Sequence, residues 1–225
     1  LTETFEPRGL LIEEARTNSI PNSSNFSAPS WVVTQATSVL DNSLVSPMGT
    51  TGEVYSFGST TQNGMHQVSN PQNGAIQNNA VCLTLFAKSL GTNVDLLLRI
   101  NSIGSPAPCI TYDLEAGKVV GMVNGLSGST AGGWTFSEPI LEKYANGWYR
   151  IGFRNLNLNS GSDHLGLKIV PKGNIQQNPS FTGTGQPDFA LFGYQQEAGS
   201  FPTSYIPTSG STVTRSADIA SISGD

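Results

Sequence analysis

The strongest constraint on this chain is a two-residue alternation of side-chain character, repeated in several stretches, with no stretch that keeps a helical period. In Ala80–Lys88, Val81, Leu83, Leu85 and Ala87 share one face, and Cys82, Thr84, Phe86 and Lys88 share the other. In Val94–Ile100, Val94, Leu96, Leu98 and Ile100 lie opposite Asp95 and Arg99. Leu165, Leu167 and Ile169 alternate with Gly166 and Lys168, and Tyr149, Ile151 and Phe153 oppose Trp148, Arg150 and Arg154. Successive side chains of an extended chain point to opposite sides, so each stretch predicts a strand with one buried face. The nearest thing to a helical pattern, Leu10–Ala15, soon meets Asn18 and Pro21.

Shorter extended segments are expected at Gly9–Ile12, Trp31–Thr34, Val54–Phe57, Met65–Val68, Ile110–Asp113, Lys118–Val123, Trp134–Ser137, Phe189–Tyr194 and Asp218–Ile222. Asn-Gly pairs at 63–64, 73–74, 124–125 and 146–147 read as turns, because both residues tolerate positive φ. About thirteen short strands with no helix between them predict an all-β fold, an antiparallel sandwich of two sheets. The Gly-rich stretches Asn124–Gly133 and Gly173–Gly185, and the Asn- and Ser-rich Asn18–Pro29, read as loops within one domain over 1–225.

Composition narrows the function. Charged residues are 12% of the 225, about half the usual share, and the net charge is −5. The eleven basic residues form no cluster, which argues against a nucleic acid as partner. No apolar run approaches the roughly 18 residues that a membrane-crossing helix needs, so no membrane insertion is expected. The chain begins at Leu1 with no basic-then-apolar leader, so a processed chain or a module of a longer protein is expected.

Both ends carry a recognisable pattern. The first is Glu6-Pro7-Arg8-Gly9-Leu10-Leu11-Ile12-Glu13-Glu14-Ala15-Arg16-Thr17-Asn18. Near the other end stand Gly193-Tyr194-Gln195-Gln196-Glu197-Ala198-Gly199, Pro202-Thr203-Ser204-Tyr205-Ile206-Pro207-Thr208 and Val213-Thr214-Arg215-Ser216-Ala217-Asp218, with Gly147-Trp148-Tyr149-Arg150-Ile151 between. Over about residues 6–222 the chain resembles a jelly-roll domain of tailed-phage structural proteins: tail fibres, tail spikes, baseplate parts and head fibres. That domain is similar in architecture to carbohydrate-binding modules. Tyr194 stands where a small residue is usual, and Gln196 where Leu is usual. The resemblance implies a jelly-roll topology, a virion location, assembly with other virion proteins, a homotrimer, and contact with host-surface glycans. It also implies neighbouring terminal strands, and Glu13, Glu14, Arg16, Arg215 and Asp218 are charges available to register them.

The residues offer little catalytic chemistry. His66 and His164 have no metal-site spacing, no Gly-x-Ser-x-Gly elbow exists, and Gly161-Ser162-Asp163-His164 reads as a polar loop. Asp113, Glu115, Glu138, Glu142 and Asp188 are the carboxylates from which a glycoside-cleaving pair would have to come. No enzyme activity and no cofactor are expected. A structural calcium is conceivable at Glu13, Glu197 and Asp218 if the ends converge. Cys82 and Cys109 are expected as two buried thiols. Sugars bind by stacking on aromatic rings beside hydrogen-bonding groups, and Trp134, Trp148, Arg150 and Tyr194 are the candidate glycan-binding residues. The expected function is a non-enzymatic virion appendage module. The alternative is a carbohydrate-binding module of a secreted polysaccharide-degrading enzyme.

Overall fold

The computed structural model describes residues 11–70, 80–101, 108–123, 138–157 and 164–220. Its strands are β1 (Arg16–Asn18), β2 (Val32–Thr34), β3 (Ala36–Leu40), β4 (Tyr55–Ser59), β5 (Asn63–Gly64), β6 (His66–Ser69), β7 (Ala80–Ser89) and β8 (Val94–Asn101). They continue with β9 (Cys109–Asp113), β10 (Lys118–Val123), β11 (Glu138–Lys143), β12 (Tyr149–Asn157), β13 (His164–Pro171), β14 (Phe181–Thr182), β15 (Pro187–Ala198) and β16 (Val213–Arg215).

Two six-stranded antiparallel sheets face each other, in the orders β11-β12-β7-β15-β4-β3 and β10-β9-β8-β13-β6-β2. Their central strands, β12-β7-β15-β4 and β9-β8-β13-β6, have the jelly-roll connectivity. The chain crosses between the sheets at most steps, so strand neighbours such as β7 and β15 or β8 and β13 are distant in sequence. The alternating stretches supply the inner faces. Val81, Leu83, Leu85, Ile151, Phe153 and Leu191 of one sheet share a buried cluster with Leu96, Leu98, Ile100, Leu165, Leu167 and Ile169 of the other. Each such side chain contributes about 1.5–3 kcal/mol by leaving water.

Tyr112 reaches across the sandwich, and its hydroxyl donates to the Gly152 carbonyl at 2.9 Å and accepts from the Gly152 N–H at 3.3 Å. Gly152 sits so close to β7 that a Cβ there would stand 1.9 Å from the Leu83 carbonyl oxygen.

Several expectations need correction. Asn63-Gly64 is not a turn; it pairs as β5 with β14, outside the two main sheets. Asn146-Gly147 does turn the chain between β11 and β12, with φ of 58° and 79°. Residues 11–15 form no strand, and extended pairing begins at Arg16. Residues 218–220 form no strand, and the last strand among the described residues is β16. The segments Ala36–Leu40 and Glu138–Lys143 are strands that the periodicity did not mark. Gly9, Leu10, the pairs 73–74 and 124–125, and Trp134–Ser137 lie outside the described residues, as do 161–163 and 221–222.

The larger correction concerns the outer faces. Alternation predicts half-buried strands, yet Cys82, Thr84 and Phe86 of β7, Asp95 of β8, Arg150 of β12 and Lys168 of β13 are buried on the outward sides. Both sheets are therefore covered from outside as well as from the core. Among the described residues no helix is long and apolar enough to cross a membrane.

A Cβ at Gly152 would meet backbone, which cannot swing aside as a side chain can. Gly152→Ala should therefore lower stability by at least about 2 kcal/mol, read as a fall in the denaturant midpoint at unchanged slope.

Candidate functional site

The outer face of the β11-β12-β7-β15-β4-β3 sheet is covered by the two terminal stretches of the described chain. Their first bond is a ribbon: β1 pairs antiparallel with β16, Arg16 opposite Arg215. The fully buried Asn18 then joins three segments. Its Nδ2 donates to the carbonyls of Tyr194 at 3.2 Å and Ile206 at 2.9 Å, and its Oδ1 accepts from the N–H groups of Ile20 and Gln196, both at 3.1 Å.

On β15, Gln195 accepts the Ile206 N–H at 2.6 Å and donates to the Glu197 carboxylate at 2.7 Å. Glu197 also accepts the Thr203 N–H at 2.9 Å and its hydroxyl at 2.6 Å. Farther out, Glu13 pairs with Arg215 and accepts the Ser204 N–H at 2.7 Å. The sequence blocks around 13–18, 193–199, 202–208 and 213–218 are thus parts of one latch.

The candidate residues fare differently. Trp148 is 1% exposed; its ring joins Val54, Phe86 and Phe192 in a cluster against which Tyr205 of the 202–208 strap packs, and its Nε1 donates to the Val45 carbonyl at 3.1 Å. Tyr194 is also 1% exposed and lies in the main core, edge-on to Trp31 at 5.6 Å. Neither ring offers a face to a sugar, which corrects their assignment as stacking platforms. Tyr194 turns inward because Gly193, at φ 65°, breaks the alternation of β15 at a bulge. Trp134 lies outside the described residues.

Arg150 is the candidate with a charged head at a cavity wall and no ion-pair partner among the described residues. It is 5% exposed and lies against a hollow of about 390 Å³, walled by Phe86, Tyr144, Tyr205 and Ser204, with Met48 and Glu13 also bordering it. Its Nη2 donates to the Thr84 hydroxyl at 2.9 Å, and the guanidinium carbon stands 5.6 Å from the centre of the Phe86 ring. Its Nε is buried without a partner, and no carboxylate of the described residues is within ion-pair reach. Glu142 is the cross-strand neighbour of Arg150 but forms no ion pair with it. A wider cleft of about 770 Å³ beside β1 and Gly199 offers less, since its charges, Arg16 and Glu14, are paired with each other.

Four of the five candidate catalytic carboxylates, Asp113, Glu115, Glu138 and Asp188, have structural partners. Lys172 gathers Asp113 at 2.7 Å, Glu115 at 3.1 Å and Asp95 at 3.3 Å around one ammonium. Burial pushes the Asp95 carboxyl up, although the Gly173 N–H and Lys172 oppose it. Burial acts the same way on Asp113, but the bonds from Lys172 and Ala116 outweigh it and hold its pKa low. Glu138 pairs with Arg154 at 3.4 Å, and the buried Asp188 accepts the Ser59 N–H at 2.6 Å. The His66 ring lies between the carbonyls of Gln35 and Phe181.

Of the conceived calcium ligands, Glu13 and Asp218 do approach each other, but through the Glu13 backbone N–H, which donates to Asp218 at 2.9 Å. Glu197 is held apart by Gln195 and Thr203. Among the described residues no three His, Cys, Asp or Glu side chains group as a metal site. Cys82 and Cys109 are buried on strands of different sheets, and no disulfide joins them. Burial, with Glu197 nearby, pushes the Cys82 thiol up to about 12.

Lys168 was hidden from sequence reasoning by its ordinary place in an alternating strand. The loop after β13 folds over it, so its ammonium nitrogen donates to the Gln177 carbonyl at 2.9 Å and to Asn178. Burial pulls its pKa down to about 7, and Arg99 nearby adds to the effect.

No protein-family model matches the chain, and no curated protein matches it.

Two measurements check these assignments. Asn18→Ala strands buried N–H and carbonyl groups on three segments and should cost more than about 3 kcal/mol, seen as a lowered denaturant midpoint. Lys168 binds its proton less tightly when folded than when unfolded. Its burial penalty is therefore full at low pH and is relieved as pH rises from about 7 toward the ordinary lysine value. Stability should climb by about 1 kcal/mol per pH unit in that window, and Lys168→Met should flatten the climb.

Proposed function

We propose that this chain is a non-enzymatic jelly-roll module of a bacteriophage virion appendage, a fibre, spike or decoration protein. It serves assembly with other virion proteins or attachment to host-surface glycans, and it works as a homotrimer. The observation that carries this reading is the latch. The blocks on which the resemblance rests stand some 180 residues apart in the chain, yet Asn18, Gln195, Glu197 and Arg215 bond them into one device. A pattern shared at both ends of a chain has a physical reason if those ends must build one surface together.

A particle appendage must resist chance adhesion. A charge-poor exterior with a net charge of −5 suits that requirement. The alternative, a carbohydrate-binding module from a secreted enzyme, draws on the same architecture and on the cavity at Arg150.

Antibodies against this domain should label the particles of the phage that encodes it, and its solution mass should equal three chains. A monomer that labels no particle and binds polysaccharide would overturn the virion reading in favour of the alternative.

A further inference from the structure

We propose that the hollow beside Arg150 is a binding site for a carboxylate-bearing sugar, a uronic or sialic acid unit of a glycan. The proposal rests on the glycan-attachment arm of the function above and deepens it.

A guanidinium removed from water loses its hydration and needs a negative partner in return. Three other arginines find a carboxylate within the fold: Arg16 has Glu14, Arg154 has Glu138, and Arg215 has Glu13. Arg150 is buried more deeply than a surface residue and has one neutral partner, the Thr84 hydroxyl. Its remaining donors face no acceptor of the described chain. Among the described residues this charge thus stands at a cavity wall with no carboxylate within ion-pair reach, which is the condition under which an external anion gains most.

The walls specify the anion further. The half-buried Tyr144 and Tyr205 line the hollow, with the buried Phe86 ring behind Arg150, so part of the ligand is a flat or ringed body with apolar faces. Ser204 is exposed at the edge and offers a hydroxyl. The volume of about 390 Å³ suits one or two sugar rings. Glu13 borders the same hollow; its charge is offset by Arg215, but it still disfavours a doubly charged guest. Glu142 flanks Arg150 across the strand pair, and the buried Glu197 lies on the same sheet face. These carboxylates select a singly charged carboxylate over a phosphate dianion. Arginine, with its planar fork, matches a carboxylate better than lysine would.

The test is a titration of the intact domain with sodium glucuronate and sodium N-acetylneuraminate, followed by amide chemical shifts, with methyl glucoside as the neutral control. One acid sugar should bind saturably in the millimolar range and shift Arg150, Tyr144 and Ser204, while methyl glucoside should not. Arg150→Met should weaken that binding by about tenfold or more. Met48→Trp, at an exposed rim position, should block the hollow without touching the core, which covers the case in which the Arg150 variant fails to fold. No saturable binding of either acid, equal binding of the neutral sugar, or binding that Met48→Trp leaves intact would overturn the proposal. Particle labelling without acid-sugar binding sinks the pocket and spares the virion role; acid-sugar binding without particle labelling does the reverse.

Discussion

Asn18 has no exposed surface, and its carboxamide makes four bonds to backbone groups on three chain segments. A buried amide in that position is costly unless every lone pair and proton is used. Here the bonds hold the entering strand, the bulged centre of β15 and the returning strap in one arrangement. Gln195 and Glu197 extend the same network from the β15 side, and Tyr205 closes it through the hydroxyls of Ser23 and Ser24 at 2.6 and 2.7 Å. Tyr205 of the strap in turn packs against Phe86, Trp148 and Phe192, which form a second apolar cluster behind the sheet.

That cover changes what the outward residues mean. On an open sheet Arg150 would be a solvated charge and Trp148 a platform for a ligand. In this fold Trp148 becomes packing, and Arg150 becomes a charge short of a partner at the side of a hollow. The opposite sheet shows the same logic. A loop folded over β13 turns Lys168 from a surface ammonium into a buried amine whose pKa is pulled to about 7. Lys172, only four residues on, keeps its charge because three carboxylates surround it. The difference between the two lysines is partner supply, not position in the strand.

The inner faces were legible because alternation over Ala80–Lys88, Val94–Ile100 and Leu165–Val170 leaves one solution for a two-sheet core. The turn at Asn146-Gly147 was legible for the same local reason, its tolerance of positive φ. Asn63-Gly64 misled because pairing with Phe181–Thr182 captured it in extended form, a contact more than a hundred residues away. The candidate site was legible in one residue, Arg150, and wrong in its reason. Trp148 and Tyr194 are aromatic and near charged neighbours, but burial depends on what else lies over them.

The order of residues alone determined the all-β class, the antiparallel pairing and the faces that meet in the core. Those follow from backbone sterics and the two-residue period, which act over a few neighbours. Tertiary structure alone decided which outward faces are wet, which charges find partners, and where a hollow opens. Those outcomes depend on segments such as 13–18 and 202–208 meeting across nearly the whole chain, and no local pattern of residues encodes the distance between them.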